Sequence, residues 1–184
     1  MKIAVFGSDA RAVAIGKLLV DAGYRVCFGD AADVSQAEAA ARQAGGVADT
    51  PYNDATSCEM LIFAGSRAQL DDLLTAAGCI SPDAVVVDAM EGTDGDGTDL
   101  LAHKLDTHRV IRALIVAPQV NANIPYCGDD ADAMTLFEEV FRTAGCLTAY
   151  RDPLAKAAEI TLPGIGEMGE ASFKTIKSAN TVAT

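Results

Sequence analysis

Basic residues are scarce in this chain. Fourteen Lys and Arg stand against 26 Asp and Glu among 184 residues, a formal net charge of −12. A surface of that sign repels phosphate backbones and anionic headgroups, which argues against nucleic acid and anionic membrane as partners. It also disfavours anionic small molecules unless basic residues cluster locally, and Arg11, Lys17 and Arg67 are the candidates for such a cluster. Cysteine is odd in number (Cys27, Cys58, Cys79, Cys127, Cys146) and forms no C-x-x-C, so neither a disulfide framework nor a zinc site is expected. Long apolar runs are missing, so no membrane span is expected. No basic segment precedes an apolar one at the start, because Ile3 to Phe6 already reads as a strand; the expected location is the cytoplasm. Histidine occurs only at His103 and His108, in no H-E-x-x-H or serine–histidine pattern, and a catalytic role is expected of neither. Asp94-Gly95-Asp96-Gly97-Thr98-Asp99 looks like a calcium loop, but its sixth position is not glycine and its twelfth is Leu105 instead of glutamate, so it reads as an acidic loop. No metal is expected.

Half of the residues are hydrophobic, enough for one full core. The apolar segments alternate with helical ones. Strands are predicted at Ile3–Phe6, Tyr24–Asp30, Val47–Ala48, Met60–Ala64, Ala84–Asp88, Val110–Val116 and Leu147–Tyr150. Asn123–Cys127 is expected at an edge, since Pro125 cannot serve a central ladder. Helices are predicted over Val13–Ala22, from a capping box at Ser35-Gln36-Ala37-Glu38 toward Gln43, over Ser66–Ala77, Leu100–Leu105 and Asp130–Thr143. Continuous apolar runs suit parallel strands covered on both faces. The expected fold is therefore α/β: a doubly wound, mostly parallel sheet with one or two extra C-terminal strands, whose ligands lie beyond the carboxyl ends of the strands.

The first thirty residues nearly spell a dinucleotide-binding βαβ unit of the Rossmann type. Strand, Gly7, helix, strand and Asp30 follow in the right order. Of the fingerprint G-x-G-x-x-G/A the chain has Gly7-x-Asp9-x-x-Ala12, so an aspartate replaces the glycine that lets the backbone approach a pyrophosphate. Asp9 has two readings: it repels a phosphate at the helix N-terminus, or it is the N-cap of that helix. Arg11 could reach a phosphate or be solvated. Asp30, 23 residues after Gly7, either binds the adenosine ribose, favouring NAD over NADP, or starts a turn. The candidate cofactor-binding residues are Gly7, Ser8, Asp9, Ala10, Arg11, Asp30, Ser66, Arg67, Val116 and Ala117. The backbone from Ser8 to Arg11 is expected on the phosphates and the strand end at Val116-Ala117-Pro118 toward a nicotinamide.

Met1 to Gly7 with its helix, Val85-Val86-Val87-Asp88-Ala89, Gly128-Asp129-Asp130-Ala131 opening a helix, and Asp152-Pro153-Leu154-Ala155 occur in an order that resembles the coenzyme F420-dependent NADP reductases. These are a single-domain branch of the 6-phosphogluconate-dehydrogenase-like Rossmann proteins. The resemblance covers residues 1 to 160, leaving 161–184 as a C-terminal tail or dimer arm. It implies NADP or NAD as cofactor, hydride transfer to a deazaflavin (F420) or flavin acceptor, and a homodimer. Polar positions depart from the family pattern. Asp9 replaces the second glycine, and Asp30-Ala31 the serine-arginine pair for the 2′-phosphate. Met90-Glu91-Gly92 replaces threonine-asparagine-proline, and Leu114-Ile115-Val116 replaces phenylalanine-asparagine-threonine. Four changes around one cleft suggest a changed ligand or a lost one. The rival expectation is a non-catalytic Rossmann protein serving as a ligand-binding, regulatory or partner-binding module.

Overall fold

The computed structural model describes residues 1–30, 34–48, 55–91 and 97–154. Among them eight strands form one sheet: β1 (Lys2–Phe6), β2 (Arg25–Gly29), β3 (Val47–Ala48), β4 (Met60–Phe63), β5 (Val85–Asp88), β6 (Val110–Ala113), β7 (Asn123–Gly128) and β8 (Leu147–Asp152). Their spatial order is β3-β2-β1-β4-β5-β6-β7-β8, and only the β6–β7 pairing is antiparallel. Five α-helices accompany them: α1 (Ala10–Asp21), α2 (Val34–Ala44), α3 (Leu70–Ala77), α4 (Gly97–Lys104) and α5 (Ala131–Thr143). This is the expected doubly wound sheet, with β7 and β8 as the extra strands.

The period of two along each strand feeds two cores. Ile3, Val5, Phe28, Met60 and Val85 pack on one face with Ile15, Leu19, Phe137 and Phe141 of α1 and α5. Ala4, Phe6, Leu61, Phe63 and Val86 pack on the other with Leu70, Leu73 and Leu101 of α3 and α4. Both faces are covered, which is why the strand sequences show unbroken apolar runs. Helix α1 lies close on β2 because Gly16 carries no side chain: a Cβ there would stand 2.2 Å from Cζ of the buried Phe28.

Four local expectations need correction. Helix α2 begins at Val34, so Ser35 lies inside its first turn and does not cap it. Helix α4 begins at Gly97, three residues before Leu100. Strand β6 ends at Ala113, short of Val116: the Leu114 amide donates to the Pro125 carbonyl (3.0 Å), and proline has no N–H to return the bond. Strand β7 is internal, between β6 and β8. Pro125 is tolerated there because a strand residue directs its N–H and C=O to the same side. Its missing donor therefore faces the spent end of β6, while Ile124 and Tyr126 serve β8. Ala31, Gly92, the 94–96 part of the acidic loop and the tail 161–184 lie outside the described residues. No helix among the described residues is long and apolar enough to cross a membrane.

Candidate functional site

Strand β1 pairs with both β2 and β4, so the chain leaves it into the crevice where the strand order reverses. Gly7 makes that exit. Its φ is +125°, a backbone conformation side chains disfavour, and a Cβ would stand 3.0 Å from the Gly65 nitrogen. The ends of β1 and β4 are thus in contact.

Asp9 is the N-cap of α1. Its backbone is extended and its Oδ1 accepts the Ala12 amide at 2.7 Å. The carboxylate takes one of the free N–H groups that a Rossmann helix offers to a phosphate and leaves those of Ala10 and Arg11. Ser8 turns aside, its hydroxyl donating to Gln36 Oε1 on α2 (3.1 Å). Ala10 is exposed at the first position of the helix, and Asp30 is buried after β2, 6% exposed.

Arg11 reaches across to the end of β4. Its Nη2 donates to the carbonyls of Ala64 (2.7 Å) and Gly65 (3.3 Å), and its Nη1 lies 3.9 Å from the exposed Glu91. Ser66, exposed, opens a 3-10 turn (Arg67–Gln69), its amide donating to Gln69 Oε1 at 3.2 Å. That turn directs Arg67 back over the ends of β4 and β5, where its Nη2 meets Asp88 Oδ2 at 2.5 Å.

Asp88 is the centre of a network the sequence reading missed. It is fully buried, and its Oδ2 also accepts the Thr98 hydroxyl (2.5 Å). Its Oδ1 accepts the Met90 amide (3.1 Å) and Arg112 Nη1 (3.1 Å). Arg112 donates further to the Met90 carbonyl at 2.9 Å. Desolvation, with Arg67 and Arg11 beside it, holds the Arg112 guanidinium below its ordinary pKa, against the pull of Asp88. A signal was available: Asp88 and Arg112 are lone charges in apolar runs, and they are register partners on β5 and β6. Buried charges of opposite sign on neighbouring strands imply a pair.

The expected basic cluster therefore exists with a different third member. Arg11 and Arg67 take part, but Lys17 pairs with Asp21 on the surface of α1 (3.0 Å), and Arg112 takes its place. Arg11 Nε and Arg67 Nε and Nη1 are shielded from solvent without an acceptor. Such orphans cost about 1–3 kcal/mol each. Donors of this kind, with Gly7 at the turn and Asp30 at the end of β2, fit a phosphate-bearing nucleotide, and the Asp9 carboxylate opposes it. Val116 and Ala117 are not brought to this cluster. Both are exposed and line a separate cavity of about 180 Å³ with Leu114, Ile115, Asn123 and Ile124. His103 and His108 are exposed, the latter 3.6 Å from Asp130. No group of three metal-ligating side chains occurs among the described residues.

Solved structures with this fold include a hypothetical protein of Sinorhizobium meliloti (TM-score 0.73, 16% identity, 89% of this chain and 91% of that one). They also include a Streptomyces aurantiacus imine reductase (0.69, 17%, 97% and 64%) and an Aspergillus terreus reductive aminase in complex with NADPH and ethyl-5-oxohexanoate (0.68, 18%, 97% and 62%). At these identities the likeness is one of fold, and the chain spans under two thirds of both reductases. No curated protein matches its sequence. Residues 2–92, which include Gly7, Asp9, Arg11, Asp30, Arg67 and Asp88, match the family described as NADP oxidoreductase, coenzyme F420-dependent, the family that the sequence resembles.

Proposed function

We propose that the chain is an NAD(P)-linked oxidoreductase whose cofactor lies across the carboxyl ends of β1, β2 and β4. The observation that carries this is the crevice itself: Gly7 turns at φ +125° between two parallel neighbours and delivers the N-terminus of α1, as dinucleotide sites require. When bound, the cofactor supplies or accepts a hydride at its nicotinamide ring. The chain's residues bind and orient it. The backbone amides from Ser8 to Arg11 face the phosphates, Asp30 accepts from the adenosine ribose and disfavours a 2′-phosphate, and Ser66 and Arg67 border the crevice on the β4 side. Val116 and Ala117 flank the nicotinamide end. Arginine cannot exchange protons near neutrality and Asp88 is committed to four donors, so these residues position groups and do not transfer protons. Hydride transfer needs little more than that. The acceptor we propose is the deazaflavin F420 or a flavin.

The test is a thermal-shift titration at low salt with NAD, NADP and their reduced forms. A saturable rise with one of them is expected; a ligand at a hundred times its Kd adds about 2.7 kcal/mol. No rise at millimolar concentrations would overturn the proposal. It would favour the second reading, a non-catalytic Rossmann module, for which the Asp9 carboxylate on the Ala12 amide speaks. We also read the chain as a cytoplasmic homodimer. The exposed Val120, Leu147 and Tyr150 support a self-association surface, and sedimentation equilibrium measures it.

A further inference from the structure

We infer that Arg11 and Arg67 form an oxyanion site that replaces the glycine-turn cradle, taking a dianionic phosphate or dicarboxylate group over the ends of β1 and β4. The inference rests on the proposed nucleotide-binding crevice and says which residues hold the charge.

The charge balance points the same way. In a protein of net charge −12, three guanidiniums gather at these strand ends around a single fully buried carboxylate. Asp88 already accepts from Arg67, Arg112, Thr98 and Met90, so it has no lone pair to spare for a third arginine, Arg11. Of the described acids near Arg11, Glu91 is 3.9 Å away and largely exposed, and Asp9 is turned to the Ala12 amide. Arg11 and Arg67 approach β4 from opposite sides, one from α1 and one from the 3-10 turn. Between them they leave three N–H-bearing nitrogens without acceptors. A guanidinium pair with unused donors is suited to a dianion, which two arginines can grip through several charge-assisted hydrogen bonds. Asp88 and Thr98 then act as positioning residues for Arg67. The arrangement also accounts for Asp9: once arginines hold the anion, the helix terminus is free to be capped by its own chain.

The dianion is either a nucleotide phosphate or the two carboxylates of a dicarboxylate substrate, and the experiment separates the two. Melting temperature is measured at fixed ionic strength against inorganic pyrophosphate, malonate, NAD and NADP. The proteins are the wild type, Arg67→Gln, Arg11→Gln and, as control, Arg42→Gln, whose residue pairs only with Glu38 on the surface of α2. Saturable stabilisation by pyrophosphate or by malonate is expected, weakened at least tenfold in Arg67→Gln and Arg11→Gln and unchanged in Arg42→Gln. The better anion identifies the source. If Arg67→Gln does not fold because Asp88 loses a partner, Arg11→Gln decides alone, since Arg11 Nη2 donates only to backbone carbonyls. Silence toward both anions, or an undiminished response in the arginine variants, overturns the site. Dinucleotide binding that persists through both substitutions would sink the site and leave the proposed function standing. Pyrophosphate binding without dinucleotide binding would do the reverse.

Discussion

Replacing Asp88 by Asn tests whether the buried network is held by charge. Asparagine keeps the shape of the side chain and an acceptor for Met90, but it leaves Arg67 and Arg112 facing a neutral amide. Their side chains are only 13% and 7% exposed and the Asp88 side chain is 0% exposed, so water cannot take over the lost interaction. Removing one partner of a buried ion pair costs about 3–5 kcal/mol, a large share of the roughly 5–15 kcal/mol that holds a domain together. For a chain of this size each kcal/mol moves Tm by about 2–4 °C, so a fall of about 6–20 °C is expected by calorimetry. Asp71→Asn is the control: its partner Lys104 meets it at the surface, and a loss below about 1 kcal/mol is expected. Adding Arg112→Met to Asp88→Asn should recover part of the loss, because it withdraws one of the stranded charges. A fall under about 2 °C for Asp88→Asn, or strictly additive effects in the double variant, would refute the claim that these charges depend on one another.

Asp9→Gly should tighten NAD(P) binding by about ten- to hundredfold, since an exposed carboxylate close to a phosphate is repulsive even after screening. The lost cap costs only a few tenths of a kcal/mol, so titration calorimetry on the folded variant reads the effect directly, and unchanged affinity would show that Asp9 does not block the site. Gly16→Ala pits helix propensity, which gains about 1 kcal/mol, against a Cβ placed 2.2 Å from Phe28 Cζ; urea unfolding should show a net loss of about 1–3 kcal/mol. Burial, reinforced by the Glu138 carboxylate, raises the Tyr126 hydroxyl well above its ordinary pKa. The folded state therefore keeps a proton that the unfolded chain releases. Stability from this group is full below pH of about 10 and falls as pH rises beyond it. Urea midpoints at pH 8 and 10.5 should drop further in the wild type than in Tyr126→Phe, and equal drops would count against that assignment.

The layered fold was readable because its cause is local. Unbroken apolar runs such as Met60 to Ala64 and Ala84 to Val87 demand two covered faces, and the glycines at 23, 45, 78 and 145 mark helix ends. What escaped depends on neighbours. Whether a proline strand lies at an edge is set by which ladder its missing N–H faces, and Pro125 faces the place where β6 has stopped. Asp9 was legible as a cap because capping needs only the next three residues. The partner of Arg67 was not, since Asp88 lies 21 residues away in sequence and only the folded 3-10 turn aims the side chain at it. Lys17 looked equivalent to Arg11 on paper, but the next turn of the same helix placed Asp21 within its reach.

The Met90 amide donates to the same carboxylate that gathers Arg67, Thr98 and Arg112 from three other parts of the chain. Releasing any one of those segments strands the buried charges of the others, so the crevice and the sheet are lost together. Occupancy of the site and cooperativity of the fold are therefore one equilibrium viewed from two ends. The Met90 amide should exchange its hydrogen only through the rarest, whole-molecule openings, and any ligand of the arginines should slow that exchange as much as it raises global stability.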